Sequence, residues 1–497
     1  MLFNSAFFIL IFLPVTMALY HGLRRYHHNL AVAVLVCCSL FFYGWWNPAY
    51  LLLLGLSIVV NFAIGSFVAR HYQAWQRRLM TLTGICFNLA LLGYFKYADF
   101  FITTVNAVLG LRMDTLNIIL PLAISFFTFQ QITYLIDVHK GDNVRYSFLN
   151  YCLFVTFFPQ LIAGPIVHHR QMMPQFERRD FSQTADHLAL GLTLFSIGLF
   201  KKVFIADNLA LFATPIFQAA EKGQALTLLD GWCGALAYTG QLYFDFSGYS
   251  DMAIGLGHLF GITLPINFFS PYKARNISEF WQRWHITLSS FLKDYLYIPL
   301  GGNRVSRAKQ VRNLAITMFL GGLWHGAAWT FVFWGVLHGF YLACHHLWRS
   351  AAFAFFQSPT YQGLARLLAP VLTFIAVVVG WVFFRAVSFS GAIHILKAMF
   401  LPGAVTNMVA SGQLAQHAPE EAIYWLLTAY LIIWLAPNPY QLLQNHRPAT
   451  GLSRLMAAAA GRSRWQPDTR WALATAALLV VALLNLANVS EFLYFQF

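Results

Sequence analysis

Long apolar runs separated by short basic clusters set the pattern of this chain from its first residues. Runs near 3–20, 29–46, 50–68, 80–99 and 115–136 are each long enough, or nearly so, to cross a hydrocarbon layer as a helix. The polar breaks between them alternate in charge. Arg24-Arg25, then Arg70 with Arg77-Arg78, then Lys140 with Arg145 mark one side, while WNPAY (46–50) and the stretch 103–114 carry little positive charge. The positive-inside rule assigns the basic side to the cytoplasm and the N-terminus to the outside. In the first run the positive charge follows the apolar residues, which argues for a first span and against a cleaved signal peptide.

The alternation then falters. LNYCLFVTFFPQLIAGPIV (149–167) is followed by Arg170, Arg178 and Arg179, which would lie outside if that run crossed fully. Pro159 and the Gly164-Pro165 break predict a re-entrant or surface-lying element, tolerated at depth only where protein or a wet cavity covers it. The pattern leaves the topology of 149–270 open. Further on, 313–330 and 331–348 read as a pair, 367–387 leads out through a loop at 388–420, and 422–436 returns to a basic loop at 437–470. The last span, 471–488, puts the C-terminus outside. The reading is a single domain over 1–497 with about ten to twelve crossings and re-entrant elements. Its core motifs fall in about 1–345, its C-terminal spans in about 367–488, and an extracytoplasmic tail follows at 489–497.

Composition agrees. The chain has 497 residues, 59% hydrophobic and only 10% charged, so the expected class is an all-α, polytopic integral membrane bundle. The net charge of +14 falls in short clusters between apolar runs, so no nucleic-acid partner is expected. Six cysteines lie in apolar segments without metal-type spacing, which predicts neither a disulfide framework nor a metal site.

Polar residues inside apolar runs are the candidates for chemistry, because each is costly at depth. His325 in GGLWHGAAW lies about a dozen residues past Asn313, roughly 18–20 Å along a helix and deep in the bilayer. The glycines and alanines around it leave room for a substrate or for close backbone approach. His285 sits in SEFWQRWHITLSSFLKD, where Arg283, Lys293 and Asp294 make an interfacial, amphipathic helix the plainer reading. His338, 13 residues after His325, reads as structural. QLYFDFSGYSDMAIG (241–255) buries Asp245 and Asp251, which must pair, bond or line a wet cavity, or else serve as helix–helix glue. A neutral imidazole in low dielectric can act as general base on a hydroxyl, and a hydroxyl attacking an activated acyl group fits these residues best.

Several motifs carry a resemblance. FYGWWNPAYLLLL (42–54), LGYFKYADF (92–100), LPLAISFFTFQQITYLIDVHKGD (120–142), FFPQLIAGPI (157–166) and KKVFIAD (201–207) are joined by three more. These are GALAYTGQLYFDFSGYSDMAIGLG (234–257), ISEFWQRWHITLSSFLKDYLYIPLGGNR (277–304) and LGGLWHG (320–326). Together they resemble the membrane-bound O-acyltransferase family, in its bacterial alginate and peptidoglycan O-acetyltransferase branch, strongly over residues 1–345 and loosely beyond. The resemblance implies a funnel-shaped bundle of about eleven spans with a tunnel between the faces, in a bacterial inner membrane. It implies that His325 is catalytic and that His285 lies close to the reaction path. It also implies acetyl-CoA as donor, an exported or cell-wall polysaccharide as acceptor, and a periplasmic serine-hydrolase-like (SGNH-type) acetyltransferase as partner. By charge alone, Lys273, Arg275, Arg304, Arg307 and Arg312 could meet the phosphates of the donor.

The chain closes on ANVSEFLYFQF, in which Phe492, Tyr494 and Phe497 form F-x-Y-x-x-F. This resembles the tail of the accessory peptide in teichoic acid D-alanylation, where the tyrosine carries the acyl group. Tyr494 is therefore a candidate acyl relay, and an interfacial aromatic anchor is the other reading. Read from residues alone, a transporter of a lipid-linked sugar or an ion, with buried histidines and aspartates along its path, is the alternative. No inverted repeat supports it.

Overall fold

The computed structural model describes residues 1–70, 73–141, 146–179, 185–350, 358–401, 403, 415–452, 455, 465–486 and 492–493. Among these the chain is helical, and its extended pairing is an isolated parallel bridge between Pro265 and Thr450. Four helices are long and apolar enough to cross a membrane: Tyr50–Arg70, Ala74–Leu109, Ala185–Glu221 and Gln362–Arg385. Five shorter apolar helices add to them. The molecule is an all-helical integral membrane protein.

In chain order, α1 (Leu13–Arg24), α2 (His28–Gly44), α3 (Tyr50–Arg70), α4 (Ala74–Leu92) and α5 (Ala98–Leu109) form the first layer. A wider, π-helical turn over Gly93–Tyr97 joins α4 to α5 without a break, so the run expected at 80–99 continues to Leu109. The run expected at 115–136 becomes helical only at Ile124, as α6 (Ile124–His139). Its first part is held as loop because the Asp99 carboxylate accepts from the backbone N–H of Leu116 at 2.6 Å and of Ile118 at 3.2 Å.

The 149–167 stretch folds as α7 (Phe148–Thr156) and a short turn α8 (Phe158–Leu161), then leads to α9 (His169–Glu177). Its residues from Leu153 to Val167 are buried in protein, the cover that irregular backbone at depth demands. Two long crossings follow. The first joins α10 (Ala185–Phe200) to α11 (Asp207–Glu221) through a π-helical segment at Lys201–Ala206. The second is α12 (Leu228–Leu259), started by a capping box of Thr227 and Asp230 and buried over most of its length.

Beyond α12 come two short helices, α13 (Ile277–Arg283) and α14 (Ile286–Leu292), and then the hairpin of α15 (Arg307–His325) and α16 (Trp329–Ser350). The hairpin closes backbone to backbone. A Cβ on Gly322 would strike the Phe331 carbonyl, and one on Gly335 the Met318 carbonyl, so small residues set the crossing. α17 (Pro359–Arg385) leads to α18 (Phe389–Phe400), a helix inside the expected 388–420 loop, and helices Glu421–Leu435 and Thr469–Leu484 complete the described bundle. All six cysteines are free thiols.

Hydrogen bonds between chain segments sort the loops onto two faces. Arg24 donates to the Arg178 carbonyl at 2.8 Å, His28 to Phe176, His21 to Leu259 and His258 to Pro448. Arg77 donates to the carbonyls of Val138 and His139. One face thus gathers Arg24, Arg77, Arg178 and the 445–450 loop. On the other, Tyr50 donates to the Ile119 carbonyl and Trp329 to Thr104. The open stretch 149–270 resolves accordingly. Residues 149–179 begin and end on the basic face, α10–α11 leaves it, and α12 returns.

Candidate active site

His325 and His285 meet in the interior, although 39 residues separate them. α15 ends at His325, and Gly326 takes an extended conformation that turns the chain away. His285 occupies the break between α13 and α14 at φ 43°, ψ 55°, a left-handed geometry that histidine tolerates better than bulky residues do. The two ring centroids lie 6.2 Å apart, with His285 0% and His325 4% exposed. His285 is therefore no interfacial residue. Its charged neighbours are drawn outward instead: Arg283 pairs with Glu279 at 2.6 Å, leaving the helix break to point inward.

Each ring has a defined wall. Around His325, Trp334 stands edge-on at 5.1 Å, Phe384 at 5.2 Å and Trp324 at 5.0 Å. Phe246 of α12 abuts His285 at 4.8 Å. Asn267, in the loop after α12, places its Oδ1 3.1 Å from Nδ1 of His285 and also accepts from the Thr287 hydroxyl at 2.9 Å. His338 lies one layer away among Trp281, Trp334 and Trp381.

A cavity of about 660 Å³ reaches His325. Trp45, Trp46 and Leu120 stand on the weakly charged face, while Lys96, Ser125 and Trp324 line the end near the histidine. Residues of this kind can exclude water around an acyl group, hold a neutral imidazole and admit a hydroxyl from one side. Sequence reasoning missed two of the site's polar residues. Lys96 gave a signal, the lone charge between Arg78 and Asp99, whereas Asn267 gave none.

A family model described as "MBOAT, membrane-bound O-acyltransferase family" matches residues 142–388. A peptidoglycan O-acetyltransferase of Helicobacter pylori is 48% identical over 429 residues, covering 80% of each chain. The chain belongs to the membrane-bound O-acyltransferase family. The acyltransferase is also 40% identical, over the full length of both chains, to a protein of Azotobacter vinelandii named "Probable alginate O-acetylase AlgI". A teichoic acid D-alanyltransferase of Bacillus subtilis is 27% identical over 283 residues, covering 55% of this chain and 70% of that one. Membership of an acyltransferase family displaces the transporter alternative.

Asp245 and Asp251 of α12 are paired in the acyltransferase. Asp245 lies 2.8 Å from Lys202, which also meets Asp207 at 2.7 Å, and Asp251 lies 2.6 Å from Lys201 and accepts from Tyr440 at 2.7 Å. Beside this cluster lie the described residues of the tail. The Phe492 ring sits 4.3 Å from Tyr249 and 5.4 Å from the Lys202 ammonium, and the Leu493 N–H donates to Asp245 at 3.3 Å. Both residues are buried in the protein interior rather than standing free at a mouth. Tyr494 itself lies outside the described residues.

The basic candidates for the donor are not gathered in one cavity. Arg275 lines a pocket of about 260 Å³ with Gln362 and Arg366. The Lys273 ammonium donates to the Ala436 carbonyl at 3.0 Å, and burial, with Arg283 nearby, lowers its pKa from the ordinary value. Arg304 sits in the separate turn that follows Gly301 and Gly302.

Proposed function

We propose that this acyltransferase moves acetyl groups from acetyl-CoA, at its basic cytoplasmic face, to the hydroxyls of an exported polysaccharide across a bacterial inner membrane. The observation that carries the reading is the meeting of His285 with His325, which lines the inner end of a cavity that begins on the weakly charged face. The H. pylori and A. vinelandii relatives, named for peptidoglycan and alginate, support acetyl as the group and an alginate-like exopolysaccharide or peptidoglycan as the acceptor.

In this reading His325 takes the proton of an attacking hydroxyl. The oxygen bonds to the thioester carbonyl carbon, the carbon–sulfur bond breaks, and the CoA thiolate leaves and recovers the proton. His285 stands beside the reacting atoms, held by Asn267. Of the cations on the basic face, Arg275 with Lys273 and, in its own turn, Arg304 are the candidates to meet the phosphates of the donor.

The attacking hydroxyl is the phenol of Tyr494. The resulting acetyl-tyrosine passes its acetyl group to the serine of an extracytoplasmic SGNH-type acetyltransferase, which loads the polysaccharide. Support comes from α12: Asp245 and Tyr249 hold Leu493 and Phe492, and Phe246, next along the same helix, touches His285.

Purified protein with radiolabelled acetyl-CoA tests the whole scheme. Wild type is expected to release CoA and retain label, His325→Ala to do neither, and Tyr494→Phe to retain no label. Full polysaccharide acetylation by Tyr494→Phe in cells removes the relay and leaves the acyltransferase. Turnover that persists in His325→Ala removes His325 as the base.

A further inference from the structure

We propose that Lys96 is a positioning residue for acyl transfer, its ammonium fixing the last turn of α15 so that the His325 imidazole is held at the inner end of the cavity. The proposal rests on the reading of His325 as the base.

A lysine at this depth is expensive, and a carboxylate usually offsets the cost. Lys96 is served otherwise. Among the described residues no carboxylate lies within ion-pair reach of it. Its Nζ donates to the Trp324 carbonyl at 2.5 Å, the His325 carbonyl at 3.2 Å and the Ser125 hydroxyl at 3.3 Å, and lies 5.9 Å from the Trp324 ring centroid. An ammonium has three donors, and these oxygens take all three. Two of the three belong to the end of one helix, one of them to the catalytic residue itself.

That end needs partners. The last four carbonyls of a helix have no acceptor role within it, and the negative end of the helix dipole favours a cation there. The Tyr97 hydroxyl donates to the Leu323 carbonyl at 2.8 Å, so Lys96 and Tyr97 together cap residues 323, 324 and 325 in succession. Adjacent residues on a regular α-helix point about 100° apart. Here the wider turn over Gly93–Tyr97 lets neighbouring side chains reach the same helix end, and such turns gather at functional sites. A neutral donor could cap a helix that had only stability to serve. A single amine in the wall of the cavity, bonded to the carbonyls of both Trp324 and His325, points to the positioning of that residue.

The test uses full-length protein in membrane vesicles that retain the acceptor system, so that the tyrosine is regenerated between turnovers. It follows thiol release from acetyl-CoA together with the thermal unfolding midpoint of the purified protein. Lys96→Ala is expected to lose kcat by roughly 10²-fold, the scale of a small misplacement, with the KM for donor nearly unchanged. Propylammonium or ethylammonium, entering the cavity, is expected to restore much of that loss. Lys96→Met, which keeps the volume, is expected to lose kcat equally and to resist rescue. A wild-type kcat in Lys96→Met, or a loss in Lys96→Ala that no amine relieves, overturns the proposal. His325→Ala, assayed alongside, is expected to be inactive with or without amine. Turnover there overturns the reading of the base instead, so the two failures are separable.

Discussion

Thr287 decides which proton His285 carries. Its backbone N–H donates to the Asn267 side chain at 3.3 Å and its hydroxyl to the same atom at 2.9 Å, so that atom is the amide oxygen. The histidine facing it must present an N–H at Nδ1, which leaves the lone pair on Nε2. Asn267→Leu removes this restraint and is expected to lower kcat by roughly 10²-fold, a loss in line with misplaced catalytic groups. Asn267→Asp, which keeps an acceptor, is expected to retain more, and steady-state kinetics of the two variants checks the order. At this scale the sequence was uneven. Depth exposed His325, whose neighbours are all apolar or small. His285 was hidden by Arg283, Lys293 and Asp294, which mark an interface on a continuous helix but lie beyond a break that residue pattern does not reveal. Asn267 acts across 18 residues of chain, through a contact that no periodicity encodes.

Among elements, the hairpin of α15 and α16 matters most, because its crossing fixes where α15 ends. Gly322 and Gly335 allow the two backbones to touch, and no side chain fits between them. Gly335→Val is expected to destabilise the protein by roughly 1–3 kcal/mol, the usual cost of overpacking, and to lower turnover beyond what the stability loss explains. Thermal unfolding and kcat measured on the same preparation separate the two effects. The glycines beside His325 in the sequence allowed either room for substrate or close approach, and Gly322 serves close approach. The helices themselves were legible, since long apolar runs have few alternatives in a membrane. Their interruptions were less so. The loop before α6 is as apolar as a span and stays irregular because Asp99 claims its backbone. α18 lies where a loop was expected, anchored by Glu221, which accepts from the N–H groups of Val387 and Ser388.

Over the whole molecule, charge divides the surface. Arg24 bonded to the Arg178 carbonyl means that the basic cluster after 149–167 belongs with the first, so the 149–167 stretch enters and leaves by the same side. A cysteine at Arg178 or Arg447, in a background without native cysteines, is expected to react with an impermeant thiol reagent only in inverted vesicles. One at Trp46 is expected to react only in right-side-out vesicles. Reaction at position 178 from the outside would contradict this arrangement. The sequence could not settle these positions because the positive-inside rule counts crossings, and a chain that turns back inside the protein defeats the count.

The cavity of about 660 Å³ that ends at Lys96 and His325 has an electrical consequence. Filled with water, it carries the potential of the outer solution inward, so the membrane voltage falls across the thinner slab behind the histidines. The field is steepest there. A unit charge crossing that slab does work of roughly 2.3 kcal/mol for each 100 mV. A proton passed from His325 to a thiolate withdrawing toward the basic, negative side runs downhill in this field, and one recovered at the histidine itself gains nothing from it.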